Sequence, residues 1–369
     1  MRKQITILIL IAPLFGVPKF SIQNGAFCGL CHVNPTGGAL RNDHGITIVS
    51  IEDLPAQVND TNYENNYTGL LNDFLRVGGD FRIQEFSYQT GKDRYHAWIP
   101  MQGEVYAYVS PTSSLGIYAE WDLNPGGAGS QFWAILQDLP FNSWIKIGKT
   151  LPNFGLRLDD HSSFIRGGPV SQFYGISANL LPFSPFTPKP LLVEMGIKPH
   201  RSILWTTSVG NPMFSSNISP AELSDKNLTS QIQYSANFGG ITFLFSAQGM
   251  WESKKRILGV SGGFCIGPLT WEHETDWASA TRSDSLDGLA IHHLISFEMK
   301  DGFSIIGLHE FVDPDLDWKS GAVSRIGLGF EYFPIPFLEI KFQTRMYGTN
   351  NLNGYSIKPE YILQIHTWF

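Results

Sequence analysis

Charge is scarce in this chain. Only 16% of its 369 residues are Asp, Glu, Lys or Arg, against roughly 25% in ordinary soluble domains. Cysteine is scarcer, with 3 in all, so a disulfide framework is not the design. Beyond the extreme N-terminus no apolar run reaches about 18 residues, the minimum for a membrane-spanning helix. A mean hydropathy of −0.07 agrees. No fixed-period repeat is present, which argues against a propeller. Basic residues number 26 against 33 acidic ones, a net charge of −7, so no nucleic-acid partner is expected. Aromatics, by contrast, make up 13%, with 37 Gly and 22 Pro. Disordered chains lack such large apolar side chains. What remains is a large β-rich protein or a β-barrel of the outer-membrane kind.

Met1-Arg2-Lys3 is a short basic start, followed by an apolar run from Ile5 to Gly16 that Pro13 interrupts. This reads as a secretory signal, too short to anchor in a bilayer. We assign residues 1–26 to it, with Gly16, Ser21 and Ala26 all acceptable at the cleavage point. Neither Cys28 nor Cys31 follows a lipobox-like residue, so lipidation is not expected.

Cys28-Gly29-Leu30-Cys31-His32 is C-x-x-C-H, the attachment signature of c-type haem. Two thiols at this spacing can add to the two vinyl groups of one porphyrin, and the next residue, His32, then falls beneath the iron as its proximal ligand. A redox C-x-x-C would want a βαβ context, and a structural zinc site would want a second closely spaced ligand pair. His292-His293 does not provide one. Pro35 follows His32 by three residues and is placed to fix the imidazole through its carbonyl. Gly37-Gly38 would let the backbone pass close to the porphyrin edge. For the sixth iron ligand the sequence offers His44, His96, Met101 and His161, His44 being nearest.

The rest of the chain reads as barrel strands. From Tyr355 to Phe369 the odd positions are largely apolar and the even ones largely polar, so one face meets an apolar medium and the other is wet. Leu338 to Met346 and Arg325 to Tyr332 repeat the pattern. Such runs are longer than the usual 5 or 6 residues of soluble strands and match the roughly 9 to 11 that cross a bilayer when tilted. Similar segments recur from residue 74 onward, with one weak candidate near 171–178. The expected fold is all-β, an outer-membrane antiparallel barrel of about 16 strands over residues 74–369, because an even number closes the meander. Short turns on one rim and longer loops on the other are expected, with Trp98, Trp121, Trp144, Trp205, Trp251, Tyr347 and Trp368 as an interfacial girdle. Cys265 reads as a small hydrophobe in a strand.

The chain ends Tyr361-Ile362-Leu363-Gln364-Ile365-His366-Thr367-Trp368-Phe369. This resembles the terminal signal by which bacterial outer-membrane proteins are recognised for assembly. An exported C-x-x-C-H segment before such a barrel resembles the fused outer-membrane monohaem cytochrome c–porins, best known from iron-oxidising bacteria. The resemblance implies one covalent haem c on Cys28 and Cys31 with His32 on the iron, and a place in the bacterial outer membrane among its lipids. The Asn34-Pro35-Thr36-Gly37-Gly38 stretch and Arg41-Asn42 depart from the iron oxidisers, and resemble a wider set of haem-bearing barrels.

Residues 27–73 are too few for an ordinary cytochrome domain, so this segment is expected to plug the lumen or its mouth. The expected function is electron transfer between an extracellular donor, with Fe2+ as one candidate, and a periplasmic c-type cytochrome or other electron carrier. If it is an enzyme, it is an Fe(II)-oxidising cytochrome. The alternative is a porin whose haem segment is only a plug or sensor. Glu52, Asp53, Asp60 and Glu64 could attract a cation or simply solvate a linker. Asp159-Asp160-His161 is a candidate acid–base cluster or a rim loop.

Overall fold

The computed structural model describes residues 18–38, 40–56, 67–90, 92–123, 130–156, 163–166, 189–214, 225–280, 287–317, 322–351 and 354–369. The signal run, the Asp60 and Glu64 stretch, the Asp159-Asp160-His161 cluster and the weak strand candidate at 171–178 lie outside these residues. Two helices come first, α1 (Pro18–Asn24) and α2 (His44–Asp53), the second wound in the wide π-type manner. The strands are β1 (Leu70–Asn72), β2 (Leu75–Thr90), β3 (Asp93–Thr112), β4 (Leu115–Asp122), β5 (Gln131–Leu139), β6 (Ser143–Lys149), β7 (Leu191–His200), β8 (Ile203–Gly210) and β9 (Asn227–Phe238). They continue as β10 (Ile241–Glu252), β11 (Lys255–Ile266), β12 (Leu269–Ser279), β13 (Asp287–Lys300), β14 (Phe303–Asp313), β15 (Val323–Tyr332), β16 (Leu338–Asn351) and β17 (Gly354–Trp368).

Each strand from β2 onward pairs antiparallel with the next, and β17 returns to β2 from Glu360↔Tyr88 to Trp368↔Asp80. The result is a closed barrel of 16 long strands, with the short β1 folded back on the start of β2. Closure removes every sheet edge, the condition for backbone to cross a bilayer as strands. Burial alternates along the strands. In β12, Thr270, Glu272, Glu274 and Asp276 are buried in the lumen while Leu269, Trp271 and Trp277 face outward. The outward face is apolar over much of the wall, including Ile117, Ile147, Val193, Ile232, Val260 and Leu328, as contact with lipid requires.

One rim carries tight connections, 113–114, 140–142, 201–202, 239–240, 267–268 and 301–302, together with the C-terminus. The opposite rim carries the long ones, 150–190 and 211–226 among them. The short connections after β2, β10 and β16 also lie on that second rim, so the asymmetry is less complete than the sequence suggested. The aromatic girdle needs correction as well. Trp98, Trp121, Trp205 and Trp251 are exposed on the outer wall, but Trp144, Tyr347 and Trp368 are buried inside. Their places in the alternation put them on the lumen face, where they pack against inserted segments.

Candidate functional site

The C-x-x-C-H residues begin in a single 3-10 turn, Cys28–Leu30. The amides of Cys31 and His32 both donate to the Cys28 carbonyl, at 3.1 and 3.2 Å. The chain then reverses. Val33 N–H donates to Leu40 O at 3.2 Å and Asn42 N–H to Cys31 O at 2.9 Å, with a bridge between His32 and Arg41. Residues 31–42 therefore form a hairpin whose turn is the Asn34-to-Gly38 stretch. The Asn34 amide donates to Gly37 O at 2.8 Å, and its Oδ1 accepts the Thr36 hydroxyl at 3.1 Å. Gly37 and Gly38 have φ of +84° and +87°, conformations that favour glycine. The pair thus makes the turn, and the space beside Gly38 is open. Asn42 ties the base: its Nδ2 donates to Leu30 O at 3.0 Å and its Oδ1 accepts the Gly45 amide at 3.0 Å.

The walls around this loop come from the barrel. Cys31 packs with Phe20, Val49, Leu54, Phe333 and Trp368. Leu40 and Val33 lie against a lumen stack of Tyr106, Tyr118, Trp133 and Trp144. Ile22 and Phe27 pack on Leu204, Leu244 and Cys265, so the third cysteine lines the lumen beneath α1. Polar contacts fix the register. Lys146, buried on β6, holds Asn34 Oδ1 at 3.0 Å and pairs with Glu194 at 2.6 Å. Arg41 lies over the Trp368 ring at 5.0 Å and reaches Asp80 at 3.4 Å. Asp43 pairs with Arg76 and Lys19 with Glu331, while Trp368 Nε1 donates to Ser50 at 2.9 Å. Ala56 N–H donates to Phe333 O at 2.8 Å. Phe333 and Trp368 belong to the rim of tight turns, so residues 18–56 sit at that mouth.

Burial and the neighbouring Cys28 push the Cys31 thiol up to about 12. Burial, with Glu52 beside it, raises Asp53 to about 7. Both cysteines are free of disulfide bonds. Among the described residues no three His, Cys, Asp or Glu side chains are grouped to hold a metal ion. A haem iron needs no such group, because the porphyrin supplies four nitrogens and the protein only axial ligands.

Of the three sixth-ligand candidates among the described residues, His44 alone stays beside the loop. It opens α2 next to Gly45, where a Cβ would lie 2.2 Å from the Cys31 carbonyl oxygen. His96 sits opposite Ser87 near the far end of the β2–β3 hairpin, paired with Glu85 at 3.6 Å. Ser87 is 12 positions beyond Leu75, roughly 40 Å of extended strand, which removes His96 as a ligand. Met101 lies at the β3 bulge opposite Arg82 and Ile83, partway up the wall. His161 lies outside the described residues.

A second insertion was not anticipated from the sequence. The β6–β7 connection turns into the lumen, where Phe154, Phe164 and Ile165 join Met250, Ile257, Ala278, Ala290, Val312 and Val323 in an apolar cluster. Lumen carboxylates receive its backbone: Glu194 accepts Asn153 N–H at 2.7 Å, Glu274 accepts Leu156 N–H at 2.7 Å, and Glu310 accepts Phe164 N–H at 3.0 Å. Arg166 pairs with Glu274 at 2.7 Å, and Arg325 bridges Glu310 and Glu360. The legible signal was the loss of alternation where small apolar residues such as Ala278, Ala290 and Val312 take lumen positions.

No protein-family model matches the chain, and no curated protein sequence does. Solved structures match its fold. An anion-selective porin from Comamonas acidovorans aligns with a TM-score of 0.58 at 8% identity, over 80% of this chain and 99% of that one. The outer-membrane channel DcaP of Acinetobacter baumannii aligns at 0.56 and 11%, over 80% and 97%. OprB of Pseudomonas putida aligns at 0.56 and 9%, over 80% and 94%. At such identities the likeness is one of fold. With the apolar outer wall, it places this chain in the outer membrane as a porin-like barrel.

Proposed function

We propose that the chain is an outer-membrane channel whose inner mouth is closed by its own N-terminal segment. The carrying observation is the pairing of a closed barrel with a polar lumen to a segment held there largely by side-chain hydrogen bonds and ion pairs. In porin-like barrels the tight-turn rim faces the periplasm, so the segment guards that side. Passage of small hydrophilic solutes then depends on how firmly Lys146, Arg41 and Arg76 hold it. Single-channel recording in planar bilayers tests this: the wild type should conduct weakly, and Arg41→Ala combined with Asn34→Ala should raise conductance several-fold. Equal conductance in both would refute a closing role.

The C-x-x-C-H loop supports a second reading, electron transfer through one covalent haem c. The donor set fits: two free thiols and the following imidazole lie on one tight turn, with apolar walls from Phe20, Trp368, Val33 and Leu40. Cys28 and Cys31 would take the thioether bonds, His32 would hold the iron, and His44 is the candidate for a second protein ligand. When bound, a c-type haem supplies a one-electron iron couple. Asn42 would hold the loop rigid, and the Phe333–Trp368 wall would keep water from Cys31. At this mouth a periplasmic electron carrier could approach directly, whereas an extracellular donor such as Fe2+ would have to be small enough to enter through the lumen. An absorption spectrum of the denatured, washed protein, made with cytochrome c maturation active, decides it. Covalent haem bands that vanish in Cys28→Ala support this reading, and a colourless wild type ends it.

The segment also bears on export. Residues 18–27 place Lys19 on Glu331, Gln23 on Thr270 at 2.8 Å, and Ile22 and Phe27 in an apolar cluster. Cleavage after Ala26 would remove most of these contacts and leave Glu331 without its closest partner. We therefore favour cleavage after Gly16, which N-terminal sequencing of the mature protein checks.

A further inference from the structure

Three histidines stand on the outer wall, where lipid contact calls for apolar side chains. His273 on β12, His293 on β13 and His309 on β14 are directly opposed in register, His273↔His293 and His293↔His309. Polar groups in such a belt are costly and are rarely kept without a use. Thr275, two positions along β12 from His273, shares their outward face, because Glu274 and Asp276 on either side of it are buried in the lumen.

Thr275, His273 and His293 form a directional chain. Thr275 Oγ1 lies 3.1 Å from His273 Nε2, and His273 Nδ1 lies 3.2 Å from His293 Nδ1. With its proton on Nδ1, His273 donates to His293 and accepts the Thr275 hydroxyl at Nε2. That is the order of a hydroxyl nucleophile, its base and the group that orients the base. Trp271 at 5.5 Å and His293 at 4.5 Å both stack on the His273 ring and fix its orientation. His309 stands one strand further on, stacked on His293 at 5.6 Å.

A cation stands further along the same face. Arg256, exposed on β11 and directly opposite Ser279, lays its guanidinium 5.4 Å from the centroid of the Trp277 ring. Trp277 is two residues past Thr275, about 7 Å along the strand. Charged side chains keep to the edge of the apolar belt, so Arg256 sets the depth of the lipid headgroups and Thr275 lies just beneath. In a glycerophospholipid the acyl ester likewise lies a few bonds beneath the phosphate.

We propose that Thr275, His273 and His293 form an acyl-ester hydrolase site that takes glycerophospholipid directly from the bilayer. Thr275 Oγ attacks the ester carbonyl while His273 Nε2 takes the hydroxyl proton. The same nitrogen passes that proton to the departing glycerol oxygen, which leaves a lysophospholipid and an acyl-threonine. Water then attacks the acyl group, His273 moves its proton to Thr275 Oγ, and the fatty acid is released. Arg256 holds the phosphate, and His293 positions the base. Both edges of β12 are hydrogen-bonded along its length. No backbone N–H of β12 is therefore spare for the oxyanion, and turnover is slow beside enzymes that have such a donor.

Covalent labelling of the intact barrel with a long-chain alkyl fluorophosphonate, located by peptide mass mapping, tests the site. Fatty-acid release from phosphatidylglycerol vesicles is the second readout. The wild type should carry the label on Thr275 and release fatty acid. Thr275→Val, a near-isostere, should lose both, and Thr275→Ser should keep them. His273→Gln should lower labelling about 100-fold, and His293→Leu about as far through misplacement of the base. His293→Asn, which can still accept the Nδ1 proton, should restore most of it, whereas His309→Leu should change nothing. Arg256→Gln should raise the lipid concentration for half-maximal release and leave labelling by the headgroup-free probe unchanged. An unlabelled wild type overturns the proposal, as does labelling or release that survives Thr275→Val. Equal loss in all three histidine variants also overturns it, since a merely structural row would treat them alike.

Discussion

Asn42 holds the motif loop from several sides, donating to Leu30 O and accepting from Gly45 N. Asn42→Ala removes both and should cost about 1 kcal/mol of local stability, the net worth of hydrogen bonds that water can partly replace. Faster amide hydrogen exchange at Gly45, Cys31 and His32 is the expected reading. Asp53 supplies a pH dependence. Its folded value of about 7 lies above the ordinary 3.8, so its contribution to docking is full below about 4 and is lost as pH rises towards 7. Protection of residues 44–56 against protease should accordingly fall between pH 4 and 7, and Asp53→Asn should flatten the change. Gly78 shows a residue chosen by close approach: a Cβ there would lie 2.6 Å from Phe369 O and 2.7 Å from Leu40 Cδ1. Gly78→Ala should lower the temperature at which the barrel band shifts on gels.

At the scale of elements, β6 joins the two inserted segments to the wall. Lys146 lies fully buried between Asn34 of the hairpin and Glu194 of β7, and Glu194 in turn accepts Asn153 N–H of the inward connection. Lys146→Met leaves Glu194 charged and buried beside a lost partner, an effect of about 3 to 5 kcal/mol. The expected outcome is loss of protection in both the 31–42 hairpin and residues 150–156, read by hydrogen exchange. Loss confined to the hairpin would show that the two insertions are held independently. The C-terminal strand has a comparable double role, since Trp368 closes the barrel against Asp80 and also caps the Cys31 cluster.

At the scale of the whole molecule, the lumen is a packed interior at both ends. One apolar cluster lies under the N-terminal segment and another under the β6–β7 insertion, the second flanked by buried ion pairs of Arg325 with Glu310 and Glu360. Such pairs are stable only while desolvation is offset by complete partnership. Removing residues 18–56 should therefore leave a barrel that assembles but opens, with conductance well above the wild type in planar bilayers. A deletion variant that stays closed would assign the barrier to the inward connection instead.

The strands were legible because lipid and water impose a two-residue period: every long strand from β2 to β17 stands where alternation placed it, and 16 followed from closure. The C-x-x-C-H residues were legible as a candidate site because their spacing is local, two thiols and an imidazole within five positions. The inward β6–β7 connection was not, nor were the contacts that hold the N-terminal segment. Lys146, Arg41, Trp368 and the small lumen residues Ala278 and Ala290 gain their roles from partners more than 100 positions away or across the barrel axis; a lapse in alternation marks lumen positions as apolar but does not say which segment covers them. The same limit hid the histidine row. His273, His293 and His309 are ordinary strand residues in sequence, and only antiparallel register sets them side by side on one wall. The sequence by itself determined the barrel and its membrane, because both depend on neighbours along the chain. The tertiary structure alone decided at which mouth the N-terminal segment sits and by which contacts, because those energies arise between segments that meet only when the barrel shuts.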